Sequence, residues 1–129
     1  MVRTPRESFM SKLSKLALVL SAITVSAAAN AGIVLGRARH DPSAFDLRWA
    51  GAICSRNGEV EETGLGAGVL NDPVMGIVWL SERLEAYGQK IRAGDIVLSG
   101  SFIRPIEARL QDEFVADFGP FGQVSIGFA

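Results

Sequence analysis

The sequence predicts an α+β fold with a mixed or antiparallel, β-rich sheet, an N-terminal helix and one central helix. Three observations predict it. Short alternating or apolar runs bounded by Gly, Pro and Asn recur from residue 33 to the C-terminus. One stretch, residues 73–87, instead repeats its apolar residues at helical spacing behind a proline. A second helical stripe runs near the start of the chain. About six short strands with two helices, and no regular strand–helix alternation, give α+β.

The first stripe is Leu13, Leu16, Leu20, Ile23 and Ala27, at spacings of three and four. It predicts an N-terminal helix within residues 1–27, ahead of a domain over residues 28–129. The same region has a competing reading. Lys12 and Lys15 precede an apolar run from Leu16 to Val25, and Ala29-Asn30-Ala31 has a small-x-small form, as in a secretory signal peptide. The run is too short and too weakly apolar to span a membrane.

Ile33 to Leu35 reads as a strand between Gly32 and Gly36, and residues 37–45 as a polar loop. Asp46 to Cys54 alternates, which would place Leu47, Trp49 and Ile53 on one face. Asn57-Gly58 signals a tight hairpin, because both positions tolerate positive φ, and Glu59 to Thr63 is the return strand. Asp72-Pro73 marks a helix start, an N-cap acid followed by a proline suited to the first turn. Val74, Ile77, Val78, Leu80, Ser81 and Leu84 form its buried stripe, and Tyr87-Gly88 its end. Asp95 to Ser99, Glu113 to Phe118 and Val124 to Phe128 read as the closing strands.

Composition narrows the function. The 129 residues suit one domain, and a net charge of −1 lacks the basic excess of a nucleic-acid binder. One cysteine, Cys54, excludes an internal disulfide and a cysteine zinc cluster, and reads as a small core residue. The single histidine, His40, sits in a polar loop and reads as solvated, which leaves a Ser-His-Asp triad without support. Trp49 and Trp79 read as core.

Four segments in register carry a family resemblance. They are Asp46-Leu47-Arg48-Trp49-Ala50-Gly51-Ala52 leading into Arg56 to Gly64; Ala67 to Pro73 with Val78-Trp79-Leu80; Ala93 to Phe102 with Arg104-Pro105; and Ala116 to Gly122. Together they resemble the hydratase/decarboxylase branch of the fumarylacetoacetate hydrolase superfamily, from about residue 28 to the C-terminus. The match continues through Ala28 to Gly36, across the signal-like cleavage point, and so favours a helix and a cytoplasmic protein over a secreted one.

The resemblance implies a fumarylacetoacetase-C-terminal-like fold and an incomplete copy of a lyase that adds water across a double bond conjugated to a 2-oxo acid, with a 2-oxopent-4-enoate hydratase or a 4-oxalocrotonate decarboxylase of the same branch, a non-catalytic fragment or a small secreted protein as alternatives. It implies a Mg²⁺ or Mn²⁺ ion in the complete enzyme that stabilises an enolate, a small 2-oxo dicarboxylate as substrate, and a homo-oligomer. It implies no nucleic-acid or membrane partner. The family's metal carboxylates and catalytic lysine lie upstream of the matched residues, so no metal ligand is assigned here and no bound ion is expected on this chain alone. Glu59-Val60-Glu61 could put two carboxylates on one strand face, but it sits on the matched hairpin and reads as a solvated rim. The substrate-binding candidates are Gly100, Ser101 and Arg104. Glycine lets a backbone approach closely, a hydroxyl can bind a carboxylate, and an arginine fork suits a second carboxylate. Glu107 or Asp95 would be a surface partner for Arg104 otherwise.

The chain departs from the family in three places. It has Asp72 where histidine is common, Gln111 where glycine is common, and Ser26-Ala27 where an acid–amide pair is usual. If the turn at residue 111 needs positive φ, glutamine costs about 1 kcal/mol there.

Overall fold

The computed structural model describes residues 22–26, 31–101 and 103–129. They fall into two units, one comprising residues 41–50 and 65–101, the other residues 22–26, 31–40, 51–64 and 103–129.

The second unit is built on a four-stranded sheet. Its strands are β3 (Gly51–Arg56), β4 (Glu59–Leu65, the last residue of which belongs to the other unit), β5 (Glu113–Asp117) and β6 (Gln123–Gly127), in the order β4-β3-β5-β6. β5 pairs antiparallel with both β3 and β6, setting Cys54 opposite Ala116 and Ala116 opposite Val124. Side chains alternate across a pleated strand. Ala52, Cys54, Phe114, Ala116 and Val124 therefore share one buried face. Phe118 and Phe121 complete the core of this unit.

Asn57 and Gly58 join β3 to β4 with φ of 55° and 89°, the left-handed pair that a two-residue hairpin turn requires. The Asn57 side chain then fastens the turn to the chain ahead of β5. Its Nδ2 donates to Asp112 Oδ1 at 2.8 Å, and its Oδ1 accepts from the Glu113 backbone N–H at 2.9 Å.

Two further strands, β1 (Ala22–Ser26) and β2 (Ala31–Leu35), pair antiparallel with Ala22 opposite Leu35. This corrects the N-terminal helix over Ala22 to Ser26. The run Ile23-Thr24-Val25 is two-thirds β-branched aliphatic and wholly β-branched, so a strand with a pairing partner suits it better than a helix. The rest of the expected helix, residues 10–21 and Ala27, lies outside the described residues.

The first unit holds the only α-helix among the described residues, α1 (Pro73–Glu85). Asp72 caps it by accepting from the Val74 N–H at 3.0 Å, with proline in the first turn, as the sequence predicts. Val74, Ile77 and Val78 are its buried side chains, while Leu80, Ser81 and Leu84 are half-buried. Leu47, Ala50 and Val69 supply the rest of this unit's core. The chain reaches the cap through two consecutive left-handed residues, Leu70 at φ 52° and Asn71 at φ 64°.

Four further expectations are corrected. Asp46 to Cys54 is not one strand. The Asp46 carboxylate accepts from the Arg48 N–H and nucleates a 3₁₀ turn, Leu47–Trp49, before β3 begins at Gly51. The turn breaks the parity of the alternation, so Trp49 is 73% exposed and Ile53 points outward. Trp79 is also exposed, at 62%, because it lies about 100° round the helix from Val78, off the buried stripe. Asp95 to Ser99 is irregular and joins no ladder. Its Asp95 side chain instead accepts from the Arg92 N–H at 2.7 Å, closing a turn. His40 is half-buried, not solvated, and its ring meets Phe121 edge-on at 5.2 Å. Among the described residues no helix is long and apolar enough to cross a membrane.

Candidate functional site

The expected binding loop ends the first unit. It runs irregularly beside α1 and is seated there by two glycines. A Cβ on Gly76, in the second turn of α1, would stand 2.9 Å from the Ser99 carbonyl oxygen. Only a residue without a side chain lets that carbonyl lie so close to the helix. Gly100 follows at φ 129°, where an L side chain is strained, and a Cβ there would press on Val69 Cγ1 at 3.0 Å. The helix and Val69 therefore fix the backbone that presents Ser101. Ser101 is exposed. Phe102 lies outside the described residues.

Arg104 belongs to the second unit, in the irregular stretch that leads towards β5. Its side chain is 63% exposed and its Nε donates to Glu62 Oε2 on β4. The partner is neither Glu107 nor Asp95: Glu107 lies 3.7 Å from Arg109, and Asp95 closes its own turn. Alternation along β4 explains why neighbouring glutamates serve different arginines. Glu61 turns to Arg56 at 3.0 Å, and Glu62, on the opposite face, turns to Arg104. Sequence reasoning missed Glu62. The strand period put it opposite Glu61, but nothing in the sequence brought residue 104 beside residue 62.

The acidic residues test whether a divalent ion fits. Glu59 is exposed and Glu61 is committed to Arg56, so the Glu-x-Glu pair offers no two free carboxylates. Asp72 caps α1, and Asp46 holds Arg48. Asp112 is held by Asn57 Nδ2 and by the Arg109 N–H, which together keep its carboxyl below the ordinary aspartate range. Among the described residues no group of three or more His, Cys, Asp or Glu could hold a metal ion. Hard cations need several oxygen ligands at once, so these residues do not fit one.

Two other features carry no chemistry. Burial raises the Cys54 thiol above its ordinary value, with Glu61 and Glu62 adding to the effect, so the thiolate nucleophile is disfavoured. An open cleft of about 570 Å³ is lined by Ser43, Phe45, Asp46, Arg48, Asn71 and Asp72, but Asp46 already engages the Arg48 guanidinium.

Comparison with known proteins decides the family. No family profile matches the chain. The 2-oxo-hept-4-ene-1,7-dioate hydratase of Escherichia coli is 48% identical over 101 residues, 78% of this chain and 38% of that protein. This chain belongs to the hydratase/decarboxylase branch of the fumarylacetoacetate hydrolase superfamily. The 2-hydroxyhexa-2,4-dienoate hydratase of Comamonas testosteroni is 35% identical over 106 residues, 81% of this chain and 40% of that enzyme. In structure, the branch member 4-oxalocrotonate decarboxylase from Pseudomonas putida G7, complexed with magnesium and adipate, superposes with a TM-score of 0.70 at 29% identity. That match covers 75% of this chain and 37% of the decarboxylase. The same decarboxylase has also been solved with calcium and acetate. This branch member thus spans about two fifths of the length of the curated relatives it matches.

Proposed function

We propose that this chain carries the substrate-loop part of a 2-oxo acid hydratase, a carbon–oxygen lyase that acts on a 2-oxo-alkenedioate in the breakdown of aromatic compounds. The observation that carries the reading is the 48% identity to the Escherichia coli hydratase across 101 residues. That value exceeds the 29% identity to the structurally similar decarboxylase, which favours hydration over decarboxylation. In such a reaction water adds across a double bond conjugated to the 2-oxo acid, and negative charge gathers as an enolate. A divalent ion, Mg²⁺ or Mn²⁺ in the complete enzyme, supplies Lewis-acid stabilisation of that charge when bound.

The chain's own contribution is recognition. Gly100 lets the backbone come close to a ligand, and the Ser101 hydroxyl is a donor for an oxo-acid oxygen. Arg104 is the cation for a second carboxylate, for which its planar fork is suited. A homo-oligomeric, cytoplasmic enzyme is the setting we assign to the complete protein.

A chimera tests the reading. Residues 28–129 replace the matching region of the Escherichia coli hydratase, and hydration of 2-oxo-hept-4-ene-1,7-dioate is followed with Mg²⁺ present. We expect turnover by the chimera. The isolated chain should show neither turnover nor a micromolar Mg²⁺ or Mn²⁺ site by calorimetry. A folded chimera that binds the metal and leaves the dioate untouched would overturn the proposal.

A further inference from the structure

The ion pair between β4 and the loop beyond Ser101 has a consequence for which ligands are accepted. Arg104 reaches Glu62 through Nε alone, so among the described residues its two terminal nitrogens engage no side-chain or backbone acceptor. A guanidinium offers a carboxylate two seats, the edge formed by Nε with one terminal nitrogen and the end formed by both terminal nitrogens. Glu62 sits at the first of these seats. It is also the more fixed partner. Its side chain is 28% exposed on a strand, whereas that of Arg104 is 63% exposed on an irregular segment. The protein thus holds one of its own carboxylates against the cation assigned to the ligand.

We infer that Glu62 is a built-in competitor for the carboxylate that Arg104 binds, and so a specificity-determining residue. The inference rests on the role given to Arg104 above. Two anions at one guanidinium repel each other, and the first offsets much of the attraction felt by the second. A ligand with a single weakly held carboxylate gains little from Arg104 while Glu62 is in place. A dicarboxylate anchored at its other end has enough local concentration to share or take over the cation. Glu62 therefore acts through Arg104 and sets the threshold at which a second carboxylate is recognised.

The test is a titration of the full chain with adipate, read by NMR at the Arg104 Nε–H resonance and at backbone amides. Removing the competing charge in Glu62→Gln should tighten adipate binding about two- to fivefold, the weight of an exposed ion pair. Glu62→Ala should do the same, and it covers the case in which the glutamine variant folds poorly, since β4 is an edge strand of its sheet. Arg104→Ala should abolish the response. If Arg104→Ala abolishes binding but both Glu62 variants bind adipate as weakly as the parent or more so, Glu62 is not a competitor and the inference is overturned. If adipate binds neither the parent nor the Glu62 variants, or binds Arg104→Ala as well as the parent, the role assigned to Arg104 itself fails.

Discussion

Gln111 stands where the resembling family commonly has glycine, and its backbone shows why glycine suits the position. It adopts φ 72°, a region where glycine is at ease and a side chain is not. Its N–H donates to the Phe128 carbonyl at 2.6 Å, so the conformation is held by the end of β6's connection. Gln111→Gly should raise stability by about 0.5–1 kcal/mol in urea unfolding, less whatever the added freedom of the unfolded chain removes. A lower midpoint would mean that the glutamine side chain contributes contacts that outweigh its strain. Leu70 pairs the same strain with 71% exposure, yet nothing in its sequence setting marked it. Asp112, next to Gln111, carries a pH dependence. Its folded carboxyl lies below the ordinary range, because Asn57 Nδ2 and the Arg109 N–H both favour the ionised form. Such a group adds stability above the unfolded value and loses it as pH falls through the folded one. Acid unfolding below about pH 4 should therefore be steeper in the parent than in Asp112→Asn. Parallel curves for the two proteins would rule out this source of acid sensitivity.

At the scale of elements, what proved legible was whatever local chemistry decides. The Asn57-Gly58 hairpin and the Asp72-Pro73 helix start appear where their residues put them. Both are set by φ preferences and one capping bond, and neither needs a distant partner. Two alternating stretches were misread, one for want of a distant partner and one through a local bond. Asp95 to Ser99 alternates like a strand, but no strand among the described residues offers it a ladder. The Trp49 region alternates too, yet one Asp46 side-chain bond diverts it into a 3₁₀ turn. The placement of the Ser99–Ser101 loop was not legible, since nothing in the sequence links Gly76 to Ser99. That contact sets an element-scale prediction. Gly76→Ala drives a methyl against the Ser99 carbonyl, and should destabilise the chain by about 1–3 kcal/mol despite alanine's higher helix propensity. A gain in stability on thermal unfolding would show that the loop yields freely.

At the scale of the whole chain, composition and charge excluded classes of function but could not reach the site. The resemblance reached the family, through four segments whose order matters more than any one of them. The exposed apolar residues were not legible, because binary patterning assumes that every large side chain finds a core. In the first unit Trp49, Leu70, Trp79, Ile96 and Leu98 are each more than half exposed. Apolar exposure on this scale favours association. The isolated chain should therefore self-associate at micromolar concentration in sedimentation velocity, with tryptophan emission moving to the blue as it does. A monodisperse monomer with a cooperative melt would show these side chains to be tolerated in water.

The Asn57 clasp, finally, bears on the lifetime of the molecule as a chemical object. An asparagine followed by glycine is the pairing most prone to lose its side-chain nitrogen, because the next amide meets no side chain as it closes on the carbonyl. Here the nitrogen at risk is the donor that Asp112 accepts at 2.8 Å. Conversion to a carboxylate would replace that donor by an acceptor and face one negative charge with another, so the damage would reach both the hairpin turn and the entry to β5. Preparations that have aged should lose cohesion at this corner first. Peptide mapping that finds the amide-to-acid mass change at residue 57, together with a lowered melting temperature, would record it, and an undiminished melt would show that the corner survives its own ageing.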